Sequence, residues 1–254
     1  MAQDFDFSGR AALITGAASG IGAAAAQWLA ARGMARLVLV DRDAAGLAAL
    51  DLSGDVLRVT GDVSDETLWQ RVEAEAGPLD HAVLNAGIAA GASITAMSFA
   101  EWRQVQSVNL DGMFLSLRCA LRLMRDGGSA VLTASVSGLK AEPDTASYGA
   151  SKAGVMQLGR VAAKENAARR IRVNVIAPGG VDTPIWDQTP FFRQMVDQHG
   201  GNRDAAMAAL SSAATPLGRF GSAPEIAGQI GFLLSDMAGS ITGTVLVSDG
   251  GYLL

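Results

Sequence analysis

Tyr148 and Lys152 close the segment Tyr148-Gly149-Ala150-Ser151-Lys152. Four residues apart on a helix, two side chains share a face, with Cβ atoms about 5–6 Å apart. A phenol beside an ammonium is a proton-transfer pair. A free phenol has a pKa near 10, too high for a base at neutral pH, and a neighbouring positive charge favours the phenolate. A second group of residues points to a phosphorylated ligand. Thr15-Gly16-Ala17-Ala18-Ser19-Gly20-Ile21-Gly22 follows a short apolar run and precedes the helical run Ala23–Arg32. Glycines there let the backbone turn tightly and approach a pyrophosphate, which then meets the amides and the positive dipole end of the helix. The spacing departs from Gly-x-Gly-x-x-Gly, because residue 18 is alanine and the glycines fall at 16, 20 and 22. Asp41, some 25 residues past Gly16, ends the next apolar run, where an acid binds the adenosine ribose hydroxyls of NAD and repels the 2′-phosphate of NADP. Arg42 pulls the other way, since a guanidinium can receive that phosphate. Neither Ala18 nor Ser19 adds a second positive charge, so NAD is favoured and NADP is the less favoured alternative.

The elements that must position these groups can be read from the alternation of runs. Short β-rich stretches (Ala11–Thr15, Leu37–Val40, Val56–Thr60, Ala82–Leu84, Ala130–Ala134, Arg172–Ile176 and Thr244–Val247) alternate with longer helical ones. That order belongs to βαβ crossovers and a parallel sheet. The runs are continuously apolar, as they are when helices cover both faces. The expected fold is α/β: a Rossmann-type doubly wound parallel sheet in a single domain spanning 1–254. Ser64, before Asp65-Glu66, and Ser98, three before Glu101, mark helix starts. From Pro184 to Pro216 the pattern is irregular, with Trp186, Phe191, Phe192, Met195 and Met207 among Gly, Asp and Gln, and reads as a helical flap outside the sheet.

Bulk composition narrows the function classes. Hydrophobic residues make up 49% and charged residues 18%, enough to build a large core. Twenty basic residues against 25 acidic ones leave a net charge of -5, with no basic field for nucleic acid. One cysteine, Cys119, and two histidines, His81 and His199, give no disulfide and no cluster at metal-ligand spacing. Cys119 reads as an inert core thiol. No apolar signal region opens the chain and no run of about 18 apolar residues crosses a membrane. A cytoplasmic protein is expected, with no metal, nucleic-acid or membrane partner.

Taken together, these residues resemble the short-chain dehydrogenase/reductase family, in its compact single-domain branch, over nearly the whole chain. The cofactor turn Thr-Gly-x-x-x-Gly-x-Gly corresponds to residues 15–22 and the Tyr-x-x-x-Lys pair to Tyr148 and Lys152. The resemblance implies that Ser135 is a catalytic serine binding the substrate oxygen. It likewise implies that Asn109, in a helix beginning near Phe99, is a catalytic asparagine holding a water that links Lys152 to solvent. Asp62 and Val63 match the pair receiving the adenine, and Asn85-Ala86-Gly87 the end of the fourth strand. Pro178, Gly179, Val181 and Thr183 match the nicotinamide-side loop. Leu84 departs from the family's more common asparagine. The implied activity is hydride transfer between a secondary alcohol or ketone and a nicotinamide cofactor.

Trp186 and Phe191 are the expected flap contacts to substrate, favouring an apolar or cyclic alcohol, with Arg193 and Arg203 the flap's positive charges. Alternatives are an NADPH-dependent ketoreductase acting on 3-oxoacyl thioesters and a non-catalytic NAD-binding scaffold. The stretches Trp102–Met124 and Gly149–Ala163 are apolar around much of their circumference, which with the resemblance suggests a homotetramer.

Overall fold

The computed structural model describes residues 5–254, the side chains of Gln188 and Pro190 excepted. Seven parallel strands, β1 (Ala11–Thr15), β2 (Arg36–Asp41), β3 (Asp55–Thr60), β4 (Leu79–Leu84), β5 (Met124–Thr133), β6 (Arg172–Pro178) and β9 (Val245–Ser248), lie in the order β3-β2-β1-β4-β5-β6-β9. The two-residue strands β7 (Val181–Asp182) and β8 (Gly221–Ser222) pair separately. Every apolar run read as a strand is one. The runs are apolar on both faces because each face carries its own core. On one face, Leu13, Val40, Leu84 and Leu132 pack with Trp69, Leu117 and Val155 of α3 (Glu66–Glu75), α5 (Gly112–Leu123) and α6 (Ala146–Glu165). On the other, Ile14, Leu39, Val83 and Ile176 pack with Leu29, Leu47 and Ile230 of α1 (Gly20–Ala30), α2 (Ala44–Ala49) and α9 (Ala223–Leu234). Trp28 of α1 lies so close to Gly231 of α9 that a Cβ there would come within 2.3 Å of its ring.

Chain order reverses between β1 and β4. The crevice beyond the carboxyl ends of these strands is the ligand position in open α/β sheets. Helix starts follow capping chemistry. Ser98 and Glu101 form a reciprocal capping box on α4 (Phe99–Gln106). At α3 the cap is Asp65, whose carboxylate accepts from Thr67 N at 2.9 Å. Ser64, the expected cap, instead donates its hydroxyl to Asp62 Oδ1 at 2.7 Å. The flap is helical as expected: α7 (Pro190–Gln198) and α8 (Arg203–Ala214) enclose a small core of Phe192, Ala206 and Met207.

Candidate active site

A cleft of about 660 Å³ opens along the carboxyl edge of the sheet at the reversal point. The glycine-rich turn forms one end. Gly16 (φ +65°) and Gly20 (φ +54°) adopt the left-handed region that favours glycine. A Cβ on Gly16 would stand 2.9 Å from the Ala86 backbone, and one on Gly22 2.0 Å from Gly16 O. Side chains here would fill the cradle. Ser19, Gly20 and Ile21 line the cleft, whereas Gly22 is buried behind the turn, letting α1 approach it. Asp41 is locked at the rim: Oδ2 accepts from Ala18 N and Oδ1 from Asp43 N, each at 3.0 Å. Arg42, Asp62, Val63, Asn85, Ala86 and Gly87 line the same end. Thr15 Oγ1 accepts from Asn85 N at 2.9 Å and Ala86 N at 3.1 Å, fastening the fourth-strand loop to the first. Glycines clear of side chains, the start of an eleven-residue helix and a fixed carboxylate suit a dinucleotide.

Farther along, Ser135, Tyr148 and Lys152 border the cleft together with Pro178, Gly179, Val181 and Thr183. Ser135 caps a short 3₁₀ turn, its Oγ accepting from Ser137 N at 3.2 Å. Lys152 is buried, donates from Nζ to Thr133 O at 3.0 Å, and lies 5.6 Å from the Tyr148 ring centroid. Burial lowers its ammonium to about 8. Burial also raises the Tyr148 phenol, outweighing the Ser135 hydrogen bond that lowers it. From the sequence a lysine-stabilised phenolate is expected. In the structure desolvation of the phenol dominates, because an interior site disfavours the charged form.

Asn109 lies in a π turn (Ser107–Asp111) between α4 and α5, fully buried and off the cleft wall. Its Oδ1 accepts from Ile88 N at 2.8 Å, and its Nδ2 donates to Ile88 O at 3.0 Å and Ser151 Oγ at 3.2 Å. The side chain ties the loop after β4 to α6. One lone pair of Oδ1 remains. A Cβ on Gly87 would sit 3.2 Å from that oxygen and 3.3 Å from Lys152 Nζ, so the missing side chain leaves space bounded by both.

The flap supplies the apolar rim. Trp186 and Phe191 line the cleft. Trp186 stacks on Phe220 (centroids 5.4 Å apart, planes at 10°) and donates Nε1–H to Val181 O at 2.8 Å. Phe192 and Met207 instead form the flap's own core, anchoring it. Arg203 is not free for an anion, since it pairs with Asp182 at 2.9 Å and Asp187 at 2.8 Å. Phe220, Leu210 and Tyr252 also line the cleft, although no motif in the sequence singles them out. Their only signal is apolar character near the flap and, for Tyr252, the preceding Gly250-Gly251 turn.

A family model described as enoyl-(acyl carrier protein) reductase matches residues 16–253. The cis-4-hydroxycyclohexanecarboxylate dehydrogenase of Sinomonas cyclohexanicum is 40% identical over 256 residues, covering 97% of each chain. The chain belongs to the short-chain dehydrogenase/reductase family. Two solved structures align along almost its whole length. Carveol dehydrogenase from Mycobacterium avium in complex with NAD is 29% identical, with a TM-score of 0.88 over 97% of this chain and 98% of that one. L-Sorbose reductase from Gluconobacter frateurii, complexed with NADPH and L-sorbose, is 28% identical, with a TM-score of 0.91 over 99% of both. This short-chain dehydrogenase/reductase is therefore a hydride-transfer oxidoreductase working between an alcohol or ketone and a nicotinamide cofactor.

Proposed function

We propose that the protein interconverts an uncharged cyclic secondary alcohol and its ketone with NAD(H) preferred, using Ser135, Tyr148, Lys152 and Asn109. One observation carries this reading: the Ser135 and Tyr148 hydroxyls share a cleft whose rim is the Trp186–Phe220 stack and Phe191. When bound, the nicotinamide takes or supplies the hydride at the carbinol carbon. In oxidation Tyr148 Oη accepts the substrate's hydroxyl proton while Ser135 Oγ donates a hydrogen bond to the same oxygen; in reduction Tyr148 returns the proton. Lys152 places positive charge next to the phenol. The space beside Gly87, bounded by Asn109 Oδ1 and Lys152 Nζ, suits a water passing that proton outward.

Asp41 supports NAD, because its carboxylate is fixed by two main-chain amides where it accepts from ribose hydroxyls. Exposed Arg42 beside it is the feature favouring NADP. The similar cis-4-hydroxycyclohexanecarboxylate dehydrogenase supports a ring substrate. The carboxylate in that protein's substrate has no obvious counterpart here: among the described residues Lys152 is the one cation lining the substrate half of the cleft. The deciding experiment is a panel of cyclohexanol-type alcohols, their carboxylated analogues and sugar alcohols, each with NAD and NADP and read by absorbance of the reduced cofactor. The neutral rings with NAD should show the highest kcat/KM. A sugar alcohol or NADP taking first place would reject the corresponding half of the proposal.

A further inference from the structure

The substrate cleft has a wall that neither the proton-transfer groups nor the flap provides. Past β9 the chain turns at Asp249, whose carboxylate accepts from Gly251 N at 2.9 Å and Leu253 N at 3.0 Å. Gly250 (φ +63°) and Gly251 (φ +90°) take the left-handed conformations this turn needs. The turn brings Tyr252 to the cleft that Ser135 and Tyr148 also line. The loop between Ser135 and Tyr148 meets it there. Tyr252 Oη donates to Glu142 Oε1 at 2.7 Å, and Lys140 Nζ lies 4.1 Å from the Tyr252 ring centroid. Lys140 Nζ is also 3.4 Å from both Glu142 Oε1 and the Tyr252 carbonyl oxygen. The phenolic proton is thus engaged by Glu142, and Lys140 and Glu142 offset each other's charge.

We propose that Tyr252 is a specificity-determining residue, its ring forming one wall of the substrate pocket, and that Glu142 and Lys140 are positioning residues that hold it there. This rests on the reading of the cleft as an alcohol and ketone site. Burial and the Glu142 carboxylate push the Tyr252 phenol up to about 12, so the hydrogen bond persists throughout the working range of pH. A fixed aromatic face discriminates by shape: it packs a flat ring and obstructs a bulky substituent.

The test uses the full-length protein and cyclic ketones of rising bulk, cyclopentanone, cyclohexanone and 4-tert-butylcyclohexanone, with variants Tyr252→Ala, Tyr252→Phe, Glu142→Ala and Glu142→Gln. Tyr252→Ala should raise kcat/KM for the bulkiest ketone relative to cyclopentanone by about tenfold, the scale on which pocket shape discriminates. Tyr252→Phe and Glu142→Ala, each losing the hydrogen bond, should raise the KM of cyclohexanone by about threefold to tenfold with kcat nearly unchanged. Glu142→Gln retains an acceptor and should stay near wild type. The KM of the cofactor should not move in any of them. An unchanged order of ketones in folded Tyr252→Ala, or a loss of kcat together with a changed cofactor KM in Tyr252→Phe and Glu142→Ala, would overturn the proposal. If the wild type ignores rings but turns over open-chain alcohols, the cyclic-substrate reading fails. The same variants run on alcohols of increasing chain length then decide the role of Tyr252. A wild type inert toward both series overturns both.

Discussion

At Tyr148 the protein holds a phenol that burial keeps protonated, beside a lysine whose ammonium burial has lowered to about 8. A protonated phenol is ready to donate, so reduction should be fast at neutral or mildly acidic pH. Oxidation needs the phenolate, which burial disfavours, so its kcat/KM should climb steadily as pH rises above neutral. An oxidation rate indifferent to pH would remove Tyr148 as the base. Tyr148→Phe retains the ring and loses the transferable proton; turnover should fall by about 10²–10⁴-fold, with cofactor binding, measured by fluorescence titration, retained. For Asp41→Ala the expected outcome is a roughly tenfold drop in the NAD-to-NADP ratio of kcat/KM, the weight of one hydrogen bond to a charged group. A ratio that stays put would make Asp41 a surface acid.

Among the elements, β4 and β5 carry a buried polar chain whose protonation is linked to stability. Ser129 Oγ donates to Leu234 O at 2.9 Å and therefore accepts from His81 Nδ1–H at 2.9 Å, while His81 Nε2 faces Arg10 Nη1 at 3.4 Å. Burial, with Arg10 and Arg172 adding to it against Asp80 and Asp236, lowers His81 from 6.5 to about 4. Between those values the unfolded chain binds a proton that the folded chain does not, so stability falls as pH drops through that window. The loss should reach on the order of 3 kcal/mol, read as a declining melting temperature that His81→Gln flattens. In the sequence His81 is only a strand-start residue, because the chain it joins runs through Ser129 on β5, Arg10 before β1 and, beyond Ser129, Leu234 at the end of α9. The strands themselves are legible because a short run apolar at every position must be covered on both sides, which is what an interior parallel strand provides. Ser98 is legible because capping is local chemistry. The pairing of Arg203 is not, since the acids that occupy it, Asp182 on β7 and Asp187 in the short turn that follows, are brought to it only by the fold of the flap. Tyr252 is hidden for the same reason, its contact Glu142 lying 110 residues away. Within the flap, Trp186→Ala should raise substrate KM by about tenfold and also lower the melting temperature, because Trp186 both lines the cleft and packs against the core of Phe192 and Met207. A lowered melting temperature with an unchanged substrate KM would show that Trp186 is an anchor alone.

For the whole molecule, exposed Phe99, Phe114 and Val161 on α4, α5 and α6 leave apolar surface facing outward, two of them within the stretches whose sequence suggests subunit packing. We expect a homotetramer; light scattering that returns the 26.1 kDa mass of one chain would refute it. No helix among the described residues is long and apolar enough to cross a membrane. The reversal of strand order at β1 also bears on how the molecule is made. Residues 11–60 lay down β1, β2 and β3 in one direction, and the chain must then return across β1 to add β4. Until it does, one edge of β1 presents unpaired amides and carbonyls beside an apolar face that α3, α5 and α6 have yet to cover, a surface on which a second nascent chain can pair. Assembly from denaturant should therefore be a race between intramolecular return and collision. Recovery of active enzyme should fall as protein concentration in the refolding mixture rises, and a solubilised fragment ending before β4 should aggregate rather than fold.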